Sequence, residues 1–354
     1  MASRAATGLF DAGMIADRWI ADYCAHGGSG DVLCDRAAGD TAWSAVFEEL
    51  AALSGDALEH ARERAQRHAD DIGTGFRIAG EGEERPWPLS PVPLLIESAE
   101  WQGIAEGVAQ RAELMERILA DLYGEGNLVR EGHVPAAVVT GSPFFLRPLA
   151  NLTPPGGYHL AFVAVDLGRG PDGSWRVLAD HLRAPAGAGY ALENRLAMAR
   201  TLDGLQSRIN IERQAPFFAA YRDGLAALCR RVDPRIGLLT PGRFNPSYAE
   251  QAHLARYLGF LLVEGADLAV RDDKLYVRTI AGLKRIDALW RRVDPRLLDP
   301  LALDSHSAVG VPGLIDAMAA GNVVLANAPG SAMLEAPAFS AFMPALARHL
   351  MGEA

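Results

Sequence analysis

Apolar residues recur at helical spacing most clearly between Ser98 and Gly124. Ile104, Val108, Ala112, Met115, Ile118, Leu119 and Leu122 fall three or four residues apart, and Gly124 is placed to end the helix. Two helices are expected upstream, over 41–53 and from Asp56 to about Asp71; Asp56 and Glu59 have capping-box spacing at the start of the second. Between these and Ser98, Arg85-Pro86-Trp87-Pro88 forces extended chain. Tyr158–Leu167 and Ser174–Ala179 are β-rich, and Pro171-Asp172-Gly173 joins them as a hairpin. A helix over about 191–205 follows.

From Arg235 the period switches repeatedly. Ile236–Leu239, Phe260–Val263, Ile286–Trp290 and Val323–Ala326 read as strands, and Asp272-Asp273 turns a hairpin between Leu268–Arg271 and Leu275–Thr279. Ser247 and Glu250, at capping-box spacing, open a helix ending at Gly259; another covers about 312–320 and stops at Gly321. The fold class expected is α/β. A helical segment spans 1–75, an α+β portion with an antiparallel hairpin spans 76–230, and a doubly wound domain spans 231–354. The boundary between the halves is placed near 206–235, before Asp233-Pro234. Residues 1–40, polar and Gly-rich, are expected to be loosely ordered.

Composition narrows the function. A net charge of −10 supplies no electrostatic footprint for nucleic acid. No apolar run approaches a membrane span and no export segment opens the chain, so no membrane partner is expected. Three cysteines without CxxC spacing point to a reducing, cytoplasmic setting. GxGxxG, GxxxxGK[ST], HExxH and GxSxG are all absent from the sequence.

Three segments concentrate charge. Val177–Arg195 places Asp180, His181, Arg183, Glu193, Asn194 and Arg195 around a Pro-Ala-Gly-Ala-Gly loop. Strand alternation sets Asp180 on one face and His181 with Arg183 on the other. Read chemically, Asp180 is a cation ligand and Arg183 an anion ligand. Read structurally, Asp180 caps a turn and Glu193-Asn194-Arg195 forms a salt-bridge cluster. Leu238–Glu250 runs from a strand through a Pro/Gly loop into a helix. Arg243, Asn245 and Tyr248 there would meet an anion at the helix start, or the segment is a plain βα turn. In Arg285–Asp304, Arg291 and Arg292 follow a strand; they would hold a carboxylate, or pair with Asp294 or Asp299. His181, His253 and His306 show no partner in the sequence.

In this order these segments resemble the circularly permuted ATP-grasp proteins of the glutathionylspermidine-synthase-like type. The matching text is RPWPLSPVPLLI, EWQGIAEGVAQRAELMERILADLYG, VLADHLRAPAGAGYALENR, LLTPGRFNPSYAEQAHLARYLGFLLVEGADLAV, DALWRRVDPRLLDPLAL and SAVGVPGLIDAMAAGNVVLANAPGSAMLEAPAF. The resemblance implies that 76–230 is a permuted piece of the ATP-grasp C-terminal lobe and that 231–354 is a pre-ATP-grasp-like domain. It implies a carboxylate–amine ligase working through an acyl phosphate, with ATP and Mg²⁺ as cofactors and a small peptide-like or amino-acid substrate. Carried onto this chain, Asp180 and Asn194 would hold metal, and Asp180, Asn194 and Arg195 would face the cofactor. Arg183, Arg291 and Arg292 would be catalytic. Thr240, Asn245, Tyr248 and Glu264 would line the substrate.

Two departures stand out. Active relatives carry a Glu-x-Asn metal pair where this chain has Ala179 and His181, and neither suits Mg²⁺. After Leu350-Met351-Gly352-Glu353 the family continues into a half bearing the nucleotide lysine, whereas no lysine here follows Lys284. The expectations are therefore a ligase whose missing half is truncated or supplied by another chain, or a non-catalytic remnant that binds a peptide, ligand or partner.

Overall fold

The computed structural model describes positions 18, 20–26 and 34, and then 41–52, 55–72, 75–77, 84–86, 89–90, 93–201 and 208–353. Two compact units interleave along the chain: one takes 1–102, 167–176 and 190–213, the other 103–166, 177–189 and 214–354. The sequence reading instead draws three consecutive segments.

In the first unit, helices Thr41–Ala52 and Gly55–Ile72 form where expected, with Trp43, Val46 and Ala65 buried. The side chain of Asp56, and most of residues 1–40, lie outside the described residues. Strands β1 (Gly75–Arg77) and β2 (Glu84–Pro86) pair antiparallel across the proline-bearing stretch. Cys24 and Cys34 form a disulfide, with Cα atoms 5.3 Å apart, and Cys229 remains a free thiol. That pairing corrects the reading of all three cysteines as reduced, because a ten-residue separation let the two close without any CxxC motif.

The helix Ser98–Tyr123 begins in the first unit and enters the second. There Met115, Ile118, Leu119 and Leu122 feed the main core, as their spacing predicts; Leu114, outside the predicted set, joins them, while Val108 and Ala112 are only half-buried. Short helices Asn127–Arg130 and Ala136–Thr140 follow. β3 (Ala164–Arg169) and β4 (Trp175–His181) form the expected hairpin, its turn closed by Gly173 at φ 77°. Ala188–Thr201 is helical. Inside the expected boundary region the chain instead forms a helix, Ala215–Ala227, burying Phe218, Tyr221 and Leu225.

The second unit centres on a parallel sheet. Strands β5 (Ile236–Leu239), β6 (Leu261–Val263), β10 (Ala288–Arg291) and β11 (Val324–Ala326) stand in the order β11-β10-β5-β6, and every pairing is parallel. β5 and β10 are buried on both faces, which is why they read as unbroken apolar runs. From β5 the chain moves to β6 on one side, then crosses to β10 and β11 on the other. That reversal confirms the doubly wound expectation and puts a switch point between β5 and β10. Between β6 and β10 an antiparallel meander is inserted: β7 (Leu268–Arg271), β8 (Lys274–Thr279) and β9 (Gly282–Arg285). Asp272 and Asp273 both take positive φ, which suits a tight primed turn. Helices Leu314–Ala319, Pro337–Ser340 and Met343–Met351 complete the unit. No described helix is long and apolar enough to cross a membrane.

Candidate functional site

In open parallel sheets the crevice at the carboxyl ends of the strands, at the switch point, is where ligands bind. Here Thr240 follows the end of β5, Glu264 that of β6 and Asn327 that of β11, while β10 ends at Arg291 and is followed by Arg292. Residues Asp180 to Gly189 also belong to this unit.

The two arginines are fully engaged. Arg291 is 0% exposed; its guanidinium donates to the carbonyls of Asn327 (2.6 Å) and Ala328 (3.2 Å) and to Ser331 Oγ (3.5 Å). Burial pulls its pKa down to about 9, with Asp294 and Glu335 opposing the fall, so it remains a cation at neutral pH. Arg292 pairs with Glu250 at 2.9 Å, with both side chains almost wholly buried, and donates to the carbonyl of Pro185. Its guanidinium also lies over Trp290.

Glu250 departs from expectation. Instead of capping its own helix, it accepts the backbone N–H of Gly187 (2.7 Å) and of Gly189 (3.2 Å) with one oxygen and Arg292 with the other. Ser247 makes no side-chain cap to the helix Tyr248–Leu258. Three converging donors outcompete one local N–H, because a buried carboxylate needs every lone pair satisfied. A Cβ on Gly189 would lie 2.6 Å from the Glu250 side chain, so the close approach requires glycine there.

Strand β4 is bound into the same edge. Asn327 accepts from the N–H groups of Ala161 and Phe162 and donates to the carbonyls of Phe162 and Leu182. Glu335 accepts from the N–H groups of Leu182 and Arg183. Asp180 is buried in a bidentate pair with Arg111, both contacts at 2.7 Å. His181 lies on the opposite face, 2.9 Å from Asp166, with both side chains largely exposed. Arg183 is an accessible cation: its side chain is 41% exposed, 3.5 Å from Asp294 and 3.8 Å from Glu335, and it lies over Phe144. Arg296, 49% exposed, shares Asp294 and the Phe144 ring with it, and Arg243 is exposed in the loop after β5.

At the positions expected to line a substrate, the Thr240 hydroxyl donates to Gln251 (2.6 Å) and accepts from the N–H of Gly242. Asn245 accepts from the N–H of Ser247 and from the Gln251 amide. Tyr248 starts the helix half-buried. The Glu264 carboxylate lies against Gly242, whose φ of 103° suits glycine alone. Thr240, Gln251 and Asn245 thus form one hydrogen-bonded chain, and the adjacent Glu250 separately joins Gly187, Gly189 and Arg292. Asn194 and Arg195 belong to the other unit, on the helix Ala188–Thr201, and burial lowers the Arg195 pKa.

The donor set decides what this edge can hold. Mg²⁺ requires oxygen ligands. Both oxygens of Asp180 accept from Arg111, Ala179 offers no ligand, and His181 is an imidazole, so β4 does not fit that ion. Nor does the glycine loop fit a phosphate cradle: its amides at Gly187 and Gly189 already point at the Glu250 carboxylate. Sequence reasoning missed Arg111, Glu335 and Asn327. Their partners are distant in the chain, and no local pattern announces them.

Residues 93–354 match the family model described as circularly permuted ATP-grasp type 2. An uncharacterized protein of Mycobacterium tuberculosis (strain H37Rv) is 40% identical over 273 residues, covering 77% of this chain and 31% of the relative. An uncharacterized protein of Synechocystis is 35% identical over 312 residues, covering 87% and 65%. The chain therefore spans less than two thirds of the length of these relatives. Among solved structures, a glutathione synthetase-like effector of Globodera pallida in its apo form aligns with a TM-score of 0.51 at 13% identity, covering 84% of this chain and 70% of that one. That likeness concerns the fold.

Proposed function

This chain belongs to the circularly permuted ATP-grasp type 2 family, and on that footing we propose that it is the substrate-side portion of an ATP-dependent carboxylate–amine ligase. The observation that carries this reading is that Thr240, Glu264 and Arg292 follow the carboxyl ends of β5, β6 and β10, beside the β5/β10 switch point, with Asn245 held to Thr240 through Gln251 and the exposed Arg183 just past β4 in the same unit. Arg183, held loosely by two carboxylates, is the group that would meet a substrate carboxylate or its phosphorylated form. Arg291 and Arg292 act as positioning residues, because neither reaches past its protein partners. Tyr248 and Asn245 line the approach to Thr240.

ATP would activate the carboxylate as an acyl phosphate for attack by an amine, and this chain's strand β4 supplies no Mg²⁺ set for that step. The nucleotide and metal ligands then come from other residues, including a further portion of a longer polypeptide or a partner chain. A second reading is favoured by the Arg111–Asp180 pair and Ala179: a family member that keeps the substrate frame, binds a peptide-like ligand, and has lost catalysis.

The test is a chimera in which this chain replaces the matching segment of the Mycobacterium tuberculosis relative, assayed for ADP release with Mg-ATP, a panel of small carboxylates and hydroxylamine. Carboxylate-dependent ADP release with hydroxamate formation is the expected result. A folded chimera that releases no ADP, beside an active parent, rejects the ligase reading and leaves the ligand-binding one.

A further inference from the structure

Away from the sheet edge, the second unit gathers Glu131, His133 and His349. One ligand atom from each lies within 4.8 Å of the others, and Glu131 Oε2 is 3.5 Å from His133 Nε2. The His133 and His349 rings face each other at 3.8 Å between centroids, tilted by 32°. Among the described residues, the His349 ring has no hydrogen-bond partner.

The backbone presents this group from well-anchored elements. Glu131 ends the short helix Asn127–Arg130. Gly132 then turns at φ 82°, so Glu131 and His133 flank a reversal. Val134 N–H returns to the Leu128 carbonyl at 2.9 Å, and both side chains are buried. His349 lies in the last turn of the helix Met343–Met351, which is pinned by buried Met343 and Leu346. Arg117 further holds that helix through the Leu350 carbonyl at 2.7 Å.

We propose that Glu131, His133 and His349 form a site for a Zn²⁺-class divalent cation, joining the 131–133 turn to the helix Met343–Met351. The chemistry selects the ion. Two imidazoles and one carboxylate suit Zn²⁺, Co²⁺, Ni²⁺ or Cu²⁺, while Mg²⁺ and Ca²⁺ demand oxygen. Metal–ligand bonds of about 2.0–2.1 Å in a tetrahedron put neighbouring ligand atoms about 3.3–3.5 Å apart. The Glu131–His133 spacing already meets this, and His349 closes the remainder by rotating about its exposed side-chain torsions. Three protein ligands leave a fourth position open to water, and the partial exposure of all three lets the ion enter. The proposal stands apart from the ligase reading and shares no residue with it.

The experiment uses tag-free full chain, stripped with chelator, titrated with ZnCl₂ by calorimetry and with Co²⁺ by visible absorption. The expected result is one Zn²⁺ per chain at micromolar or tighter Kd and a Co²⁺ d–d band of four- or five-coordinate intensity. His133→Ala and His349→Ala should each weaken Zn²⁺ by at least about 30-fold, since losing even an outer partner of a ligand costs about 10–100-fold. His306→Ala, at an exposed histidine beside Asp304, should change nothing. Circular dichroism of each variant checks the fold. No binding by the parent chain overturns the proposal, as does binding that survives both histidine substitutions or an equal response to Mg²⁺.

Discussion

The carboxyl ends of β10 and β4 carry similar side chains, yet the chain uses them in opposite ways. At the end of β10, Arg291 and Arg292 are buried among protein partners that include backbone carbonyls, Ser331, Glu250 and the Trp290 ring. At the end of β4, His181 and Arg183 keep large exposed fractions, in pairs that solvent can reach. A charged strand end is thus no guide by itself to a ligand. Where burial is complete, charge must be answered within the chain, because an uncompensated buried ion costs several kcal/mol. Where burial is partial, water answers it and a ligand can replace the water. The glycine loop follows the first pattern. Glu250 occupies the place an anion would take, so Gly187 and Gly189 serve packing.

The strongest way to break this contrast is to attack the Arg292–Glu250 pair. Arg292→Met or Glu250→Gln alone should destabilise the chain by about 3–5 kcal/mol in urea unfolding, since each leaves a buried partner unanswered. The double variant should cost clearly less than the sum of the two. If each single change costs under about 1 kcal/mol, the pair is not an internal anchor.

The same contrast explains what could be read from the chain. The periodic segments were legible: the long helix from Ser98, the hairpin around Gly173, and the apolar runs that became β5, β10 and β11. The helix Ala215–Ala227 was not, because Pro216 and Gly224 interrupt its pattern and its aromatic residues mimic no simple period. β9 was missed because its one large apolar residue, Leu283, is exposed, so no alternation marks it. Site chemistry was legible as residue types and not as roles. The Ser247–Glu250 spacing advertises a local cap, but the winning partners of Glu250 lie 42 to 63 residues away. Arg111 reaches Asp180 across 69 residues, and His349 meets His133 through the fold alone. No local pattern carries such pairings.

A smaller effect is expected from rebuilding the outer face of β4. Ala179 and His181 share that face by strand alternation, and Asp166 already stands beside His181. Ala179→Glu with His181→Asn would place two carboxylates and an amide there, an oxygen set that suits Mg²⁺. Mg²⁺ affinity, read by calorimetry, should rise at least about tenfold, or roughly 1.4 kcal/mol. Unchanged affinity would mean that the cation position implied by the family resemblance does not map onto this face.

The smallest stability effect should come from Arg183→Ala. Its two ion pairs are long and partly solvated, so they contribute about 0–1 kcal/mol, and the loss of its contact with Phe144 adds little. Urea unfolding should therefore shift by no more than about 1 kcal/mol, against the far larger loss at Arg292. In the chimera the order should invert: Arg183→Ala should raise KM for the carboxylate, because the lost cation is exposed where the proposed substrate would meet it. An Arg183 variant that unfolds the chain as readily as an Arg292 variant would erase the distinction between the two strand ends. One that leaves KM untouched would remove Arg183 from the substrate site and keep it as an exposed ion pair.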